Sequence, residues 1–211
     1  MKPADLAAWA ALLAVVPFLV VLATSFIKFA VVLAILRRAL GGSAIPPGSV
    51  TFALALLFAV FVTAPVGERV WAKAGPALAH GSAESVAQAA AAAAGPVRDF
   101  LIKHTPERER RSFYDLQRQL RPAAERDAVG AHDLLVMVPA FATAELRAAF
   151  QVGFLLFLPF LVIELVVATV LLSLGMYTLP PEAVSLPFKL LLFVLADGWH
   201  LIFRGLVLAY T

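Results

Sequence analysis

Five ionisable side chains, Lys28, Glu164, Lys189, Asp197 and Arg204, stand inside stretches that are otherwise almost wholly apolar. Charges in a membrane interior are costly and are kept for pairing, for proton relay or for an ion path. The densest case is Ser185–Trp199, where Lys189 and Asp197 share a run long enough to cross a bilayer. Lys28 interrupts Thr24–Leu33, and its simplest reading is a lysine snorkelling toward a surface. Lys189 comes early in its helix, where a cation opposes the helix dipole, so its partner is expected on another helix.

Catalytic constellations are absent from the sequence. It holds no His-Glu-x-x-His, no Gly-x-Ser-x-Gly and no phosphate-cradling glycine loop. His80, His104, His132 and His200 lack metal-ligand spacing, and the absence of cysteine excludes thiolate ligands and thiol catalysis. Asp197-Gly198 invites comparison with an intramembrane aspartyl protease. That chemistry needs a second aspartate at matching depth, and Glu164 is the nearest stand-in. No enzyme, cofactor or metal is expected. Two non-enzymatic classes remain. A secondary transporter would use the five charges as a relay and would show paired repeats, which the two halves of the chain lack. A structural pore subunit would use the charges for pairing and put flexible side chains at a constriction.

The elements that must position these residues follow from hydropathy. The 211 residues are 62% hydrophobic and 15% charged, with mean hydropathy +0.89, which indicates a membrane protein rather than a soluble domain. Four apolar blocks, Leu6–Leu36, Val50–Val66, Ala148–Met176 and Leu186–Ala209, reach or approach spanning length. Lys2 followed by an apolar run to Ala23 resembles a secretory signal. An uncleaved membrane segment is the expectation, because apolar residues resume at Phe26 and Asp5 spoils the basic leader. Pro17 predicts a kink near Ala14–Phe18. Arg37 and Arg38, followed by Gly41-Gly42 and Pro46-Pro47 with no acid nearby, mark a cytoplasmic turn.

Of the 31 charged residues, 19 lie between Gly67 and Asp133, ten basic and nine acidic. No basic face emerges, and nucleic acid is discounted as a partner. The segment reads as helical. Ser82 caps a helix that Gly95-Pro96 is expected to end. Thr105-Pro106-Glu107 reads as a second start, with the Thr105 hydroxyl capping. Phe113, Leu116 and Leu120 then form a packing stripe opposite a solvated Glu107–Arg111 face.

The third and fourth blocks meet through Gly175–Pro181, a connection short enough to require an antiparallel hairpin. Folding about Thr178–Pro180 places Glu164 level with Leu192–Asp197. The expected fold is an all-α membrane protein: two apolar helical hairpins, residues 1–66 and 138–211, with a helical, partly polar insertion, 67–137, between them.

The residues also resemble a known family. Pro139-Ala-Phe141, Glu145-Leu146, Ala149-Phe150, Gly153-Phe154, Leu158-Pro-Phe160, Gly175-Met176, Ser185-Leu-Pro187, Lys189 and Asp197-Gly-Trp199 stand in the order of FliP/SctR proteins of bacterial type III secretion. Thr24-Ser-Phe26, Lys28, Val31-Val-Leu33, Leu36-Arg37, Ala39-Leu-Gly41, Pro46-Pro47, Phe61-Val62 and Pro65 extend the resemblance through the N-terminal half. Phe100, Thr105 and Phe113 carry it through the middle.

The resemblance implies a non-enzymatic inner-membrane subunit of the export gate, part of the channel through which unfolded secreted proteins leave. It implies a pentameric ring joined to a small two-helix subunit and a larger third subunit, raised toward the periplasmic side. It also implies contacts with the switch subunit and the large export subunit, and burial of the apolar helices against protein as well as lipid. The implied gate loop is Gly175, Met176, Tyr177 and Thr178. The implied assembly charges are Lys28, Glu164, Lys189 and Asp197, and Phe150 and Phe154 are pore-lining candidates. Glu164 stands where the family more often has aspartate, and Met176-Tyr177-Thr178 replaces a methionine-rich loop. A start at the family core points to the injectisome rather than the flagellar branch.

Overall fold

The computed structural model describes residues 10, 14, 21–41, 46–78 and 82–211. Among the described residues the chain is all-α, with no strand. Its helices are α1 (Phe26–Ala39), α2 (Gly48–Leu78), α3 (Ala83–His104), α4 (Glu107–Gln119), a 3-10 turn (Ala123–Ala128), α5 (Leu134–Ser173), α6 (Pro181–Leu195) and α7 (Gly198–Leu208). Two of them, α2 with 31 residues and α5 with 40, are long and apolar enough to cross a membrane. Together α6 and α7 form a further such run, broken by a 60° bend. The kink expected at Pro17 lies outside the described residues.

Helices outrun the apolar blocks. α2 continues past Gly67, since Glu68, Arg69 and Lys73 lose little rotamer freedom in a helix. Pro65 lies within α2, where Arg69 Nε donates to the Pro65 carbonyl at 3.2 Å. α5 starts well before Ala148, at Leu134.

By compactness the chain forms two units, Met1–Ile27 with Ala59–Leu146, and Lys28–Phe58 with Arg147–Thr211. In the first, Ser82 and Ser85 make a reciprocal capping box at the start of α3, as the sequence leads one to expect. Gly95-Pro96 does not end that helix, which runs to His104 with Pro96 fully buried. Burial of the ring offsets the lost backbone bond. Thr105 closes α3 rather than opening α4: its buried hydroxyl donates back to the Leu101 carbonyl at 2.6 Å, and α4 begins without a side-chain cap. The Phe100 ring meets Phe141 edge-on at 5.6 Å. Val136, Met137, Ala140, Phe141 and Ala144 supply a buried helical stripe from the start of α5.

On α4 the charged face is not uniformly solvated. Glu107 is exposed and accepts from Arg110 and, at 2.7 Å, from Arg111 Nε, whereas Glu109 is buried. The Arg111 hydrogen bond is the main cause holding the Glu107 carboxyl below its ordinary range, with Arg110 adding to it. The expected packing stripe is open on this chain: Leu116 and Leu120 are exposed and, with Phe113, Leu135 and Pro139, line a groove of about 560 Å³.

In the second unit, Phe29, Val32, Leu33 and Leu36 of α1 are fully buried at helical spacing. A ladder of aromatic rings ties five helices together. Phe29 of α1 stacks on Phe58 of α2 at 5.8 Å, Phe58 on Phe203 of α7 at 3.9 Å, and Phe203 on Trp199 at 5.8 Å. Trp199 then meets Phe193 of α6 edge-on at 5.1 Å, and Phe193 lies 6.4 Å from Phe160 of α5. Such pairs each contribute about 0.5–1.5 kcal/mol beyond area burial. Gly198 lets the Phe193 ring lie against the backbone, and Gly153 does the same for Ile35.

Candidate functional site

The α5–α6 hairpin carries the site residues. α5 ends in a Schellman motif: Met176 N–H donates to the Leu171 carbonyl at 2.9 Å and Gly175 N–H to the Leu172 carbonyl at 3.1 Å. The motif needs a left-handed residue at its turn, and Gly175 supplies it with φ +73°. Met176 and Tyr177 follow directly, 46% and 78% exposed, beside an exposed Thr178. Pro181 opens α6 at its first position, where a missing N–H does no harm.

Below this tip, Lys189 Nζ meets Glu164 Oε2 at 2.5 Å. The partner of Lys189 is on the neighbouring helix, as its position early in α6 demands. The register differs from the sequence expectation by about one to two helical turns. Glu164 faces Lys189 rather than Leu192–Asp197, because the hairpin folds about Met176 and Tyr177, not Thr178–Pro180. The Phe160–Phe193 pair keeps the same register. Between the ion pair and the tip, Val162, Val166, Val170, Leu171, Val184 and Phe188 line an apolar groove of about 480 Å³.

The other charges lie apart from this pair. Lys28 does not snorkel; it is buried, with Nζ 4.1 Å from the centroid of the Tyr210 ring. Asp197, expected as a buried charge in a continuous span, is exposed on this chain at the break between α6 and α7. Its φ of 49° and ψ of 49° are left-handed, a conformation that aspartate tolerates better than most residues. Arg204 is also exposed. Phe150 and Phe154 are exposed on α5.

The pairing of Lys28 with Tyr210 and the aromatic ladder escape sequence reading, since both depend on contacts between distant segments. The α6–α7 break does have a local signal: Asp197-Gly198 is a turn dipeptide inside an apolar run. Among the described residues, no group of three or more His, Asp or Glu could hold a metal ion.

Known proteins are similar to this sequence over almost its full length. The model of the FliP family matches residues 10–206. The chain is 43% identical to the "Probable translocation protein y4yL" of Sinorhizobium fredii, over 100% of this chain and 96% of that protein. It is 42% identical to the "Yop proteins translocation protein R" of Yersinia pestis, over 94% of this chain and 92% of that protein. It is 39% identical to the "Flagellar biosynthetic protein FliP" of Bacillus subtilis, over 93% and 86% respectively. With two helices long and apolar enough to span a membrane, the chain belongs to the FliP/SctR family of type III secretion export apparatus proteins of the bacterial inner membrane.

Proposed function

We propose that this chain is a non-enzymatic, channel-forming core subunit of that apparatus, in which several copies bring their Gly175–Thr178 turns together at the axis. The observation that carries the reading is the α5–α6 tip, a rigidly capped turn presenting Met176 and Tyr177 to the outside. A methionine repacks around a passing chain and recloses. A tyrosine adds bulk and a hydroxyl that finds partners. Unfolded secreted proteins would pass this constriction.

The ring is pentameric by family resemblance. It is joined to the small two-helix subunit and the larger third subunit, touches the switch and large export subunits, and is raised toward the periplasmic side of the membrane. In this reading residues 1–66 and 138–211 build the two apolar hairpins and residues 67–137 the insertion. Phe150 and Phe154 line the path, and Lys28, Glu164, Lys189 and Asp197 hold the assembly. Matches to proteins named for translocation and hypersensitivity-response secretion support the injectisome branch, and they stand beside flagellar matches of similar identity.

Conductance of the complex tests the proposal. Met176→Ala combined with Tyr177→Ala is expected to leave the complex assembled but leaky to ions and small solutes. An assembled variant as tight as the parent would move the seal elsewhere, with Phe150 and Phe154 next in line.

A further inference from the structure

One face of α7 is out of keeping with its helix. Asp197, His200 and Arg204 fall at spacings of three and four, hence on one side, and all three are exposed. None makes a side-chain hydrogen bond or ion pair among the described residues. The opposite side is spoken for, by buried Gly198, Ile202 and Leu206 and by Trp199 and Phe203 of the ladder. The stripe therefore looks outward from an apolar helix, where bare lipid is an unfavourable neighbour for an acid and a base. Beside it lies a groove of about 290 Å³ between α5 and α7, with Val152, Leu156, Leu201, Gly205 and Ala209 among its lining and Lys28 at its edge. Gly205 and Ala209 form a small-x-x-x-small pair, and a side chain added at Gly205 would meet nothing within 4 Å. Small residues in such a pattern let a second helix approach closely.

We infer that this groove and its charged rim are the docking surface for an apolar helix of a different subunit of the apparatus. That helix carries a basic side chain to meet Asp197 and an acidic one to meet Arg204, about two turns, or about 10 Å, further along. Charge complementarity selects this occupant: a lipid chain would fill the groove but leave Asp197 without a counter-charge. A second copy would need an acid and a base two turns apart on an apolar helix. In this chain two apolar helices have that pattern among the described residues, α6 with Glu182 and Lys189 and α7 itself. Lys189 is buried and already paired with Glu164, and α7 would have to pair with a second α7 running antiparallel. The inference rests on membership of the export apparatus and not on the gate, so a failed conductance test leaves it standing.

Photo-crosslinking in the intact complex tests it. A crosslinking residue is placed at Leu201 or Leu208, both exposed on this face, in the full chain expressed with the whole apparatus. The adduct is mapped by mass spectrometry. The expected peptide is an apolar helix of another subunit bearing a base and an acid two turns apart. Asp197→Arg and Arg204→Glu are each expected to lower adduct yield about tenfold or more, because like charges then face each other. Reversing the facing charge on the partner restores it. Arg204 lies within the helix, away from the left-handed turn, so its variant keeps the test valid if Asp197→Arg disturbs the fold. An adduct to a second copy, to lipid only, or to a helix without these charges overturns the inference. So does an assembled complex that gives no adduct, or an Arg204→Glu yield equal to the parent.

Discussion

Lys189 and Glu164 form one ion pair but not one environment: the Lys189 side chain is 3% exposed and that of Glu164 is 37% exposed. The two halves of the pair are therefore unequal in what their loss leaves behind.

Glu164→Leu strands an ammonium in the interior, whereas Lys189→Met leaves a carboxylate that already reaches the surface. Removing one partner of a buried pair costs about 3–5 kcal/mol. Glu164→Leu is expected within that range and Lys189→Met below it, since the carboxylate left behind by the second change is the more exposed of the two groups. The Glu164→Leu/Lys189→Met double variant is expected to recover most of the larger loss. Unfolding of the detergent-solubilised chain followed by circular dichroism measures all three, and equal effects from the two single changes would contradict the asymmetry.

The Schellman turn makes a second prediction. Gly175 has φ +73° with no side chain pressing on it closer than Tyr177 at 4.0 Å, so Gly175→Ala meets a backbone penalty rather than a clash. The expected cost is about 1–2 kcal/mol. Val is expected to cost more, because branching worsens the left-handed fit. Asn, which tolerates that region, is expected to cost less than Ala. Thermal unfolding of the three variants gives the order.

At Gly198 the penalty is steric instead. A methyl group there would run into the Phe193 ring, and displacing it breaks the edge-on contact with Trp199. Gly198→Ala is expected to cost about 1–3 kcal/mol and to change Trp199 fluorescence. Pairing it with Phe193→Leu is expected to relieve part of the loss. An unaltered emission spectrum would mean that the rings tolerate the intrusion.

Glu107 gives a pH dependence with a fixed sign. Its carboxyl is held below the ordinary range, first by the Arg111 hydrogen bond and then by Arg110. A carboxylate with a depressed folded pKa supports the fold fully above its unfolded pKa, and the support is lost as pH falls through the folded value. The window is therefore acidic, below the ordinary carboxylate range. Carboxyl-carbon NMR of selectively labelled chain is expected to show Glu107 titrating below an ordinary glutamate. Arg111→Gln is expected to move it upward, and no movement would assign the shift elsewhere.

Much of the architecture was legible because it is written locally. Hydropathy located the long helices, Ser82 announced the start of α3, and the shortness of Gly175–Pro181 dictated a hairpin. Where a local signal competed with packing, packing won: Pro96 lies inside α3, and Thr105 ends a helix that it was expected to precede. The hairpin register was misread because its midpoint was set at Thr178–Pro180, whereas the connection between Ser173 and Pro181 is centred on Tyr177, close to where the Glu164–Lys189 pair places the fold. The prolines at 180 and 181 drew the turn toward the start of α6, while the left-handed Gly175 shows that it begins directly after α5. The aromatic ladder and the Lys28–Tyr210 contact could not be read at all, since nothing in a linear pattern says which rings of five helices will meet.

The length of α5 sets a height. Forty residues at a rise of about 1.5 Å each make a rod of about 60 Å, against a hydrocarbon layer about 30 Å thick. Even at a steep tilt of about 40° it still climbs about 46 Å. Part of this helix must stand outside the oil, and its first turns, with Val136, Met137, Ala140, Phe141 and Ala144, are covered there by this chain's own first unit. The bilayer alone is thus too thin a solvent for this helix, and residues 59–146 of the same chain supply part of the medium that its first turns need.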